Sequence, residues 1–561
     1  MIKIIRFTAL CIASSLLATP AQASDAVGQI AVPSDYRALV GSEAKFVIFV
    51  DQPAELTKVC NGFGLPKGDG IPTTMSKFFD GIITSKNDNP IDQPILVWCN
   101  DMPSLFMQSS IHIAMRVPSD VVGKVTVSKK DAVDFVGDIM VLTKAVDKDG
   151  WKKPKNPGSP VLDSLPVADI AIAVDGHKIG QQIEQLTLLP MGMLMEHAQS
   201  RLKSSAKSSK KYADPIVANV VSGAMKDLTT LMKQLEAPLK STQMLTMAVD
   251  VSEKTISLDM DLKVKKSIDV GGGFDDYLIE QLPPGMPMYV AISPEALRWM
   301  SQAEFDIAEG LMITNADQVK GFEAVGKSMM SMAAQQQGAT LTMTLDTKYQ
   351  WMNTSTKDGD TYIKAFNQMM SEVSTLGIGI TTSKRSDQSW KMVVDGKKLA
   401  TLIGGSEFEQ ESHSKKYGGT YGVSYVESAN LVMTKQYPLD KPEFPKGTGT
   451  IKLSQYLNGS NDGHLIASMA MDLGRIIEHT MRQENKAMGK SKKEGQNPDQ
   501  ATPPKAPELP MNLVLSSSDS KQINLSFTMP STKTFNYMKA LDAFHKKNEM
   551  KSDKAKKTST Q

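Results

Sequence analysis

Hydrophobic and polar positions along the chain fall into two recurring patterns. In the first, a short β-rich run ends in Val-Asp and passes into residues of helical character: 46–51 (FVIFVD), 170–178 (IAIAVDGHK) and 391–398 (KMVVDGKK). A looser relative is 288–293, followed by PEALRWM. The acidic residue suits the start of a helix, where a side-chain oxygen accepts from otherwise unpaired backbone N–H groups. In the second pattern, apolar and polar residues alternate on both sides of a polar turn, as in a half-buried β-hairpin. It appears at 244–262 (MLTMAVDVSEKTISLDMDL) and at 511–529 (MNLVLSSSDSKQINLSFTM). The two stretches align without a gap, sharing Lys254 with Lys521, Ile256 with Ile523 and Leu258 with Leu525.

A helix is predicted ahead of each hairpin. Asp214 and Pro215 make a cap and a first helical position, and Val217, Val221, Met225, Leu228, Met232 and Leu235 then form an apolar stripe. The counterpart is placed at about 465–481, with Ile466, Ala470, Leu473, Ile477 and Met481 on one face. A third helix is expected at 317–335, followed by the alternating run 339–345. The order strand, Asp-Gly, helix, hairpin therefore occurs at roughly 165–300 and again at 385–545. The second copy needs insertions, and two are read at the Gly/Ser/Tyr-rich 404–428 and the polar linker 485–510.

The fold expected is α+β, with duplicated units of short strands, an amphipathic helix and a β-hairpin forming antiparallel sheets packed with helices. The domains expected are 24–162, 163–300 and 385–545, with a connecting helix and strand region at 301–384 and a disordered Lys-rich tail at 546–561.

The opening residues add a location. Lys3 and Arg6, an apolar run over 7–17, and Ala21-Gln22-Ala23 read as a cleavable secretory leader at 1–23. No later window is long and apolar enough for a membrane-spanning helix. A periplasmic or secreted protein is expected, away from the supply of nucleotide and nicotinamide cofactors. Removing Lys3 and Arg6 lowers the 63 basic residues to 61, equal to the 61 acidic ones. That balance argues against nucleic-acid binding, which rests on clustered cations. Beyond the leader only Cys60 and Cys99 remain, and an oxidising compartment favours a structural disulfide between them.

Candidate chemistry is sparse. Gly321, Gly326, Lys327 and Ser328 satisfy the phosphate-loop spacing, but Val319, Phe322, Val325, Met329 and Met332 space as one face of a helix running through the motif. Among 35 methionines, Met191, Met193 and Met195 with His197 resemble soft-ligand Cu(I) clusters. Core filling is the competing and favoured role, since thioethers pack irregular cores well. The seven histidines form none of the usual helical zinc spacings, and no G-x-S-x-G elbow occurs. Ser204 and Lys207 fit S-x-x-K inside a Ser/Lys-rich run that reads as a solvated turn, and Asp147-Lys-Asp149-Gly150 lacks the rest of a calcium loop. Gly271-Gly272-Gly273 reads as a joint. Asp259 and Asp261 share a strand face, without a second carboxylate across a cleft.

These readings point to a non-enzymatic binding or scaffold protein of the bacterial envelope, without a cofactor. The partner expected is an envelope protein or an amphiphilic small molecule, with Met225, Met232, Met244 and Met247 near its groove. A Met-rich copper-handling protein and a hydrolase lacking a recognisable motif are the alternatives.

Overall fold

The strand-to-helix junctions after β9, β13 and β16 each turn on one short polar residue. In the computed structural model, Ser293 Oγ accepts from Ala296 N at 3.2 Å. Asp395 Oδ1 accepts from Lys397 N at 3.0 Å and Lys398 N at 3.1 Å, and Asp472 Oδ1 from Arg475 N at 3.2 Å. These bonds meet donors that a helix start leaves unpaired. The structure describes residues 32–51, 53, 93–100, 110–117, 131–144, 150–176, seven positions within 219–230, 241–252, 254–267, 278, 283, 285–313, 315–345, 349–386, 388–403, 407–426, 430–435, 464–491, 504–519, 521–534, 536–537, 539–541 and 543–544.

In chain order, α1 (Ser34–Arg37) precedes β1 (Phe46–Val50), β2 (Ile95–Cys99) and β3 (Ile111–Arg116). The hairpin β4 (Asp131–Val136) and β5 (Ile139–Lys144) and the short α2 (Pro160–Asp163) come next. Then follow β6 (Ile170–Asp175), β7 (Thr242–Val251), β8 (Thr255–Val264) and β9 (Met288–Ile292). After them come α3 (Pro294–Met312), α4 (Asp317–Gln335), β10 (Gln336–Met343) and β11 (Tyr349–Thr356). The chain continues through α5 (Gly359–Val373), β12 (Ile380–Ser386), β13 (Ser389–Val394), α6 (Gly396–Ile403) and α7 (Glu407–Tyr417). It closes with β14 (Gly419–Val426), β15 (Asn430–Lys435), β16 (His464–Asp472), α8 (Leu473–Ser491), β17 (Pro510–Asp519) and β18 (Gln522–Pro530).

All the described strands belong to one 18-stranded sheet. The antiparallel pairings run β4, β5, β3, β2, β1, β6, β7, β8, β18, β17, β16, β9, β10, β11, β15, β14, β13, β12. This is the mixed α+β class expected, built on a single sheet that crosses the boundaries read at 162/163, 300/301 and 384/385.

One topology recurs five times: an opening strand, an excursion, then a hairpin whose first strand pairs back on the opening strand. The sets are β1/β2/β3, β6/β7/β8, β9/β10/β11, β13/β14/β15 and β16/β17/β18. Opening strands join one another at β1–β6 and β9–β16 in one register. Val50, one before Asp51, meets Ile170, five before Asp175; Ile292, one before Ser293, meets Ala467, five before Asp472. The flanking backbone bonds match as well. Asp51 N donates to Asp169 O at 3.0 Å and Asp175 N to Lys45 O at 2.8 Å, while Ser293 N donates to Ile466 O and Asp472 N to Pro287 O, both at 2.8 Å.

Residues alternate between the two sheet faces. On one face, Val290, Leu341 and Met352 pack with Ile292, Ala339 and the Leu297 turn of α3, and Phe46, Ile172 and Leu245 pack with Val174, Leu262 and Ile523. At the N-terminal end the other face is apolar too, with Val47, Phe49, Ala171 and Ala173 covered by Tyr36, Leu39, Val161 and Leu162.

Two sequence expectations are corrected. The helix placed at about 465–481 is a strand as far as Asp472 and a helix only from Leu473. β16 pairs with β9 on one edge and β17 on the other, and its side chains from Leu465 to Asp472 are buried or half-buried on both faces; a largely apolar run of that kind has no period that separates strand from helix. The stretch 404–428, read as an insertion, contains α7 and β14. α7 has no apolar stripe to betray it, and is held by packing on α6 and by the Glu411–Lys415 pair one turn apart. α8 runs on to Ser491, into the stretch read as a linker at 485–510. The hairpins at β7/β8 and β17/β18 and the helix at 317–335 lie where expected.

Candidate functional site

The second face of the sheet becomes polar in its middle. β9 presents Tyr289 and Ala291, which pair with Thr342 and Thr340 on β10 and with Ala470 and Ser468 on β16. Across β17 and β18 the same rows continue as Asn512 opposite Thr528, Val514 opposite Ser526, and Ser516 opposite Asn524. Period-two alternation keeps these residues on one side. Yet this is no open solvated face: Ser468, Asn512 and Asn524 are 2%, 7% and 4% exposed, and Thr340 and Thr342 are as deeply buried.

In the β9–β11 half, the polar groups are met by the chain that leads into β9. Thr340 Oγ1 donates to Leu278 O at 3.0 Å and Asn353 Nδ2 to the same oxygen at 3.2 Å. Tyr289 OH donates to Pro283 O and accepts from Met286 N, both at 2.8 Å. In the β16–β18 half three of them are not met: Ser468 Oγ, Asn512 Oδ1 and Asn524 Oδ1 are buried without a hydrogen-bond partner. Each such group forfeits about 1–3 kcal/mol of hydration.

Beyond β18 the rows turn acidic. Ser526 hydrogen-bonds Asp259 on β8, and Gln522 Nε2 donates to Asp261 Oδ2 at 2.8 Å. Burial, with the charge of Asp250 adding to it against the Ser526 bond, pushes Asp259 up to about 6. Asp250 Oδ1 accepts from Asp169 N at 3.1 Å, and Asp169 Oδ2 from Val251 N at 2.7 Å. Asp169 is raised by burial, which outweighs the Val251 bond, and further by Asp250 and Asp51. Like charges side by side on adjacent strands repel, so this end favours protons or a cationic group while the β16–β18 end favours neutral hydrogen-bonding groups.

The residues singled out from sequence are only partly brought here. Asp259 and Asp261 share a face, as their spacing predicts. Met247 sits opposite Ile172 and Met260, on the apolar side, whereas Met244, three residues earlier, sits opposite Asp175 and Lys263 and packs against the N-terminal core. The strand thus holds these two methionines on different faces. Met225, Met232, Met191, Met193, Met195 and His197 lie outside the described residues, as do the leader at 1–23 and Cys60; Cys99 is buried in β2. The phosphate-loop match falls inside α4, which runs unbroken through it. A Cβ on Gly321 would come within 2.8 Å of Leu376, and one on Gly326 within 2.5 Å of the Phe305 ring, so close helix packing accounts for both glycines. Sequence reasoning missed Ser468, Asn512 and Asn524. Only the correct strand assignment of 464–472 would have placed the three together.

No protein-family model matches the chain, and comparisons with curated proteins and with solved structures return no match either.

Proposed function

We propose that this chain is a non-enzymatic binding or scaffold protein of the bacterial envelope, acting outside the cytoplasm and holding an amphiphilic ligand or a protein partner. The observation that carries the reading is the trio Ser468, Asn512 and Asn524, buried with unmet hydrogen-bonding capacity on a sheet face whose opposite side is apolar. A guest with a polar group would recover the forfeited hydrogen bonds, and buried polar groups in folded proteins are nearly always paired. The five like topological units supply a broad frame of this kind, and the register common to β1–β6 and β9–β16, with the polar caps after β9, β13 and β16, supports descent by duplication from one strand–helix–hairpin ancestor.

Native mass spectrometry of protein purified from its own compartment, with metals and organic extract measured on the same sample, tests the reading. A retained organic guest or a stoichiometric protein partner is the expected result. One or two coppers per chain with no organic guest would overturn it in favour of metal handling.

A further inference from the structure

The sheet ends in two outer strands that match each other. Among the described residues β4 pairs only with β5, and β12 only with β13. A strand with one neighbour directs half of its backbone N–H and C=O groups outward, where a further strand can take them up. Every pairing across the sheet is antiparallel and the strands number 18, so the first and the last, β4 and β12, run in opposite directions. A second copy set beside the first with its sheet facing the same way therefore brings its β4 against β12 as one more antiparallel pair. The lengths agree, at 6 residues for β4 and 7 for β12.

The two edges carry opposite charge. β4 holds Asp131 and Asp134 and no cation, and β12 holds Lys384 and Arg385 and no acid. Followed strand by strand, the face of β4 with Ala132, Asp134 and Val136 becomes the face of β12 with Thr381 and Ser383, and Arg385 follows at a one-residue shift of register. Asp131 sits opposite Lys144 of β5, but Asp134 sits opposite the uncharged Val141, and its Oδ2 is buried without a hydrogen-bond partner. Buried charges in folded proteins are ordinarily paired. Lys384 and Arg385 are both exposed. Val136 on β4 and Val393 on β13 share the face of Asp134 and are 37% and 40% exposed, so contact there also takes apolar surface out of water.

We infer that the protein associates with itself head to tail, β4 of one copy adding to β12 of the next and continuing the sheet. Charge on an edge ordinarily keeps strands apart. Here two acidic edges repel and two basic edges repel, while unlike edges attract, which selects the head-to-tail contact over a closed two-fold one. Such a contact leaves one edge of each kind open at the ends of the assembly, so it grows into chains rather than stopping at a dimer. The polar face around Ser468 takes no part in it.

Sedimentation velocity of the full chain, followed from about 10 to about 300 μM, tests the contact, because a single strand pair makes a small and weak interface. At about 50 mM salt the parent protein is expected to pass through dimers and trimers with no end point, and at about 500 mM to fall back towards monomer. Lys384→Glu with Arg385→Glu spoils the β12 edge, and Asp134→Lys spoils the β4 edge; each variant alone is expected to associate at least tenfold more weakly than the parent. Mixed one to one, the two keep one intact edge each and are expected to form dimers that do not grow, with circular dichroism confirming that both are folded. A parent that stays monomeric throughout, growth that stops at a dimer in the parent, variants that associate as the parent does, or a mixture of folded variants that stays monomeric would each overturn the proposal.

Discussion

A Cβ on Gly396, the first residue of α6, would lie 2.2 Å from the carbonyl oxygen of Ser414 and 2.8 Å from Gly418 Cα, where the chain leaves α7 for β14. The same crossing recurs in two other units. A Cβ on Gly176 would lie 2.5 Å from the Thr242 backbone as β7 begins, and one on Gly474 would lie 2.2 Å from Pro507 O ahead of β17. The glycine one or two residues after the acidic end of the strand is thus required because the chain returning from the excursion passes close over it. Alanine at Gly396 gains about 1 kcal/mol of helix propensity but must push backbone aside. A net loss of about 1–3 kcal/mol in denaturant unfolding is expected for Gly396→Ala, and similarly for Gly176→Ala.

The capping acids differ in what they hold, and their substitutions are expected to rank accordingly. Asp395 serves two solvent-facing amides, so Asp395→Ala is expected to cost about 1 kcal/mol. Asp472 is 1% exposed and accepts both from Arg475 N and from Leu509 N at 3.1 Å, joining the start of α8 to the approach of β17. Asp472→Ala strands one buried and one half-buried donor and is expected to cost about 2–4 kcal/mol. Urea midpoints of the two variants measure the order; equal losses would count against it.

How much of this was legible in the sequence follows the range over which each signal acts. The hairpins at 244–262 and 511–529 announce themselves because alternation and a polar turn are local, and α4 because its apolar stripe runs unbroken along one side of the helix, although it packs into two neighbouring clusters. β16 was misread because a strand covered on both faces loses its alternation, although Met471-Asp472 repeats the strand-ending pattern seen at Val174-Asp175 and Val394-Asp395. The polar face was illegible for a different reason. Ser526 and Asp259 belong to different units, and nothing local to either hairpin says that β8 and β18 lie side by side.

That pairing makes Asp259 a reporter of the sheet's acidic end. Its folded value near 6 lies above the ordinary 3.8, so stability from this group is full below the ordinary value, falls through the interval, and stays low above about 6. Asp259→Asn keeps an oxygen for the Ser526 hydroxyl and removes the charge. It is expected to stabilise the protein by about 1–2 kcal/mol at neutral pH, the full shift being reduced because part of the carboxyl is solvated, and to have no effect near pH 3. Thermal unfolding of both proteins across that range provides the comparison.

His112 gives the opposite slope. On β3 its Nδ1 lies 3.0 Å from Thr143 Oγ1 and its ring centroid 5.1 Å from that of Trp98, and burial lowers its proton affinity against a weaker opposing pull from Glu43. A base whose folded value is depressed contributes stability that is complete above its ordinary value of about 6.5 and is lost as pH falls below it, since the unfolded chain then takes up a proton that the folded chain refuses. The pH dependence from His112 therefore runs against that of Asp259, and the two are separable by substitution. His112→Gln keeps a polar partner for Thr143 without titrating, and is expected to flatten the fall in melting temperature between about pH 7 and about pH 5. An unchanged slope in this variant would show that His112 takes up its proton as readily in the folded protein as in the unfolded chain.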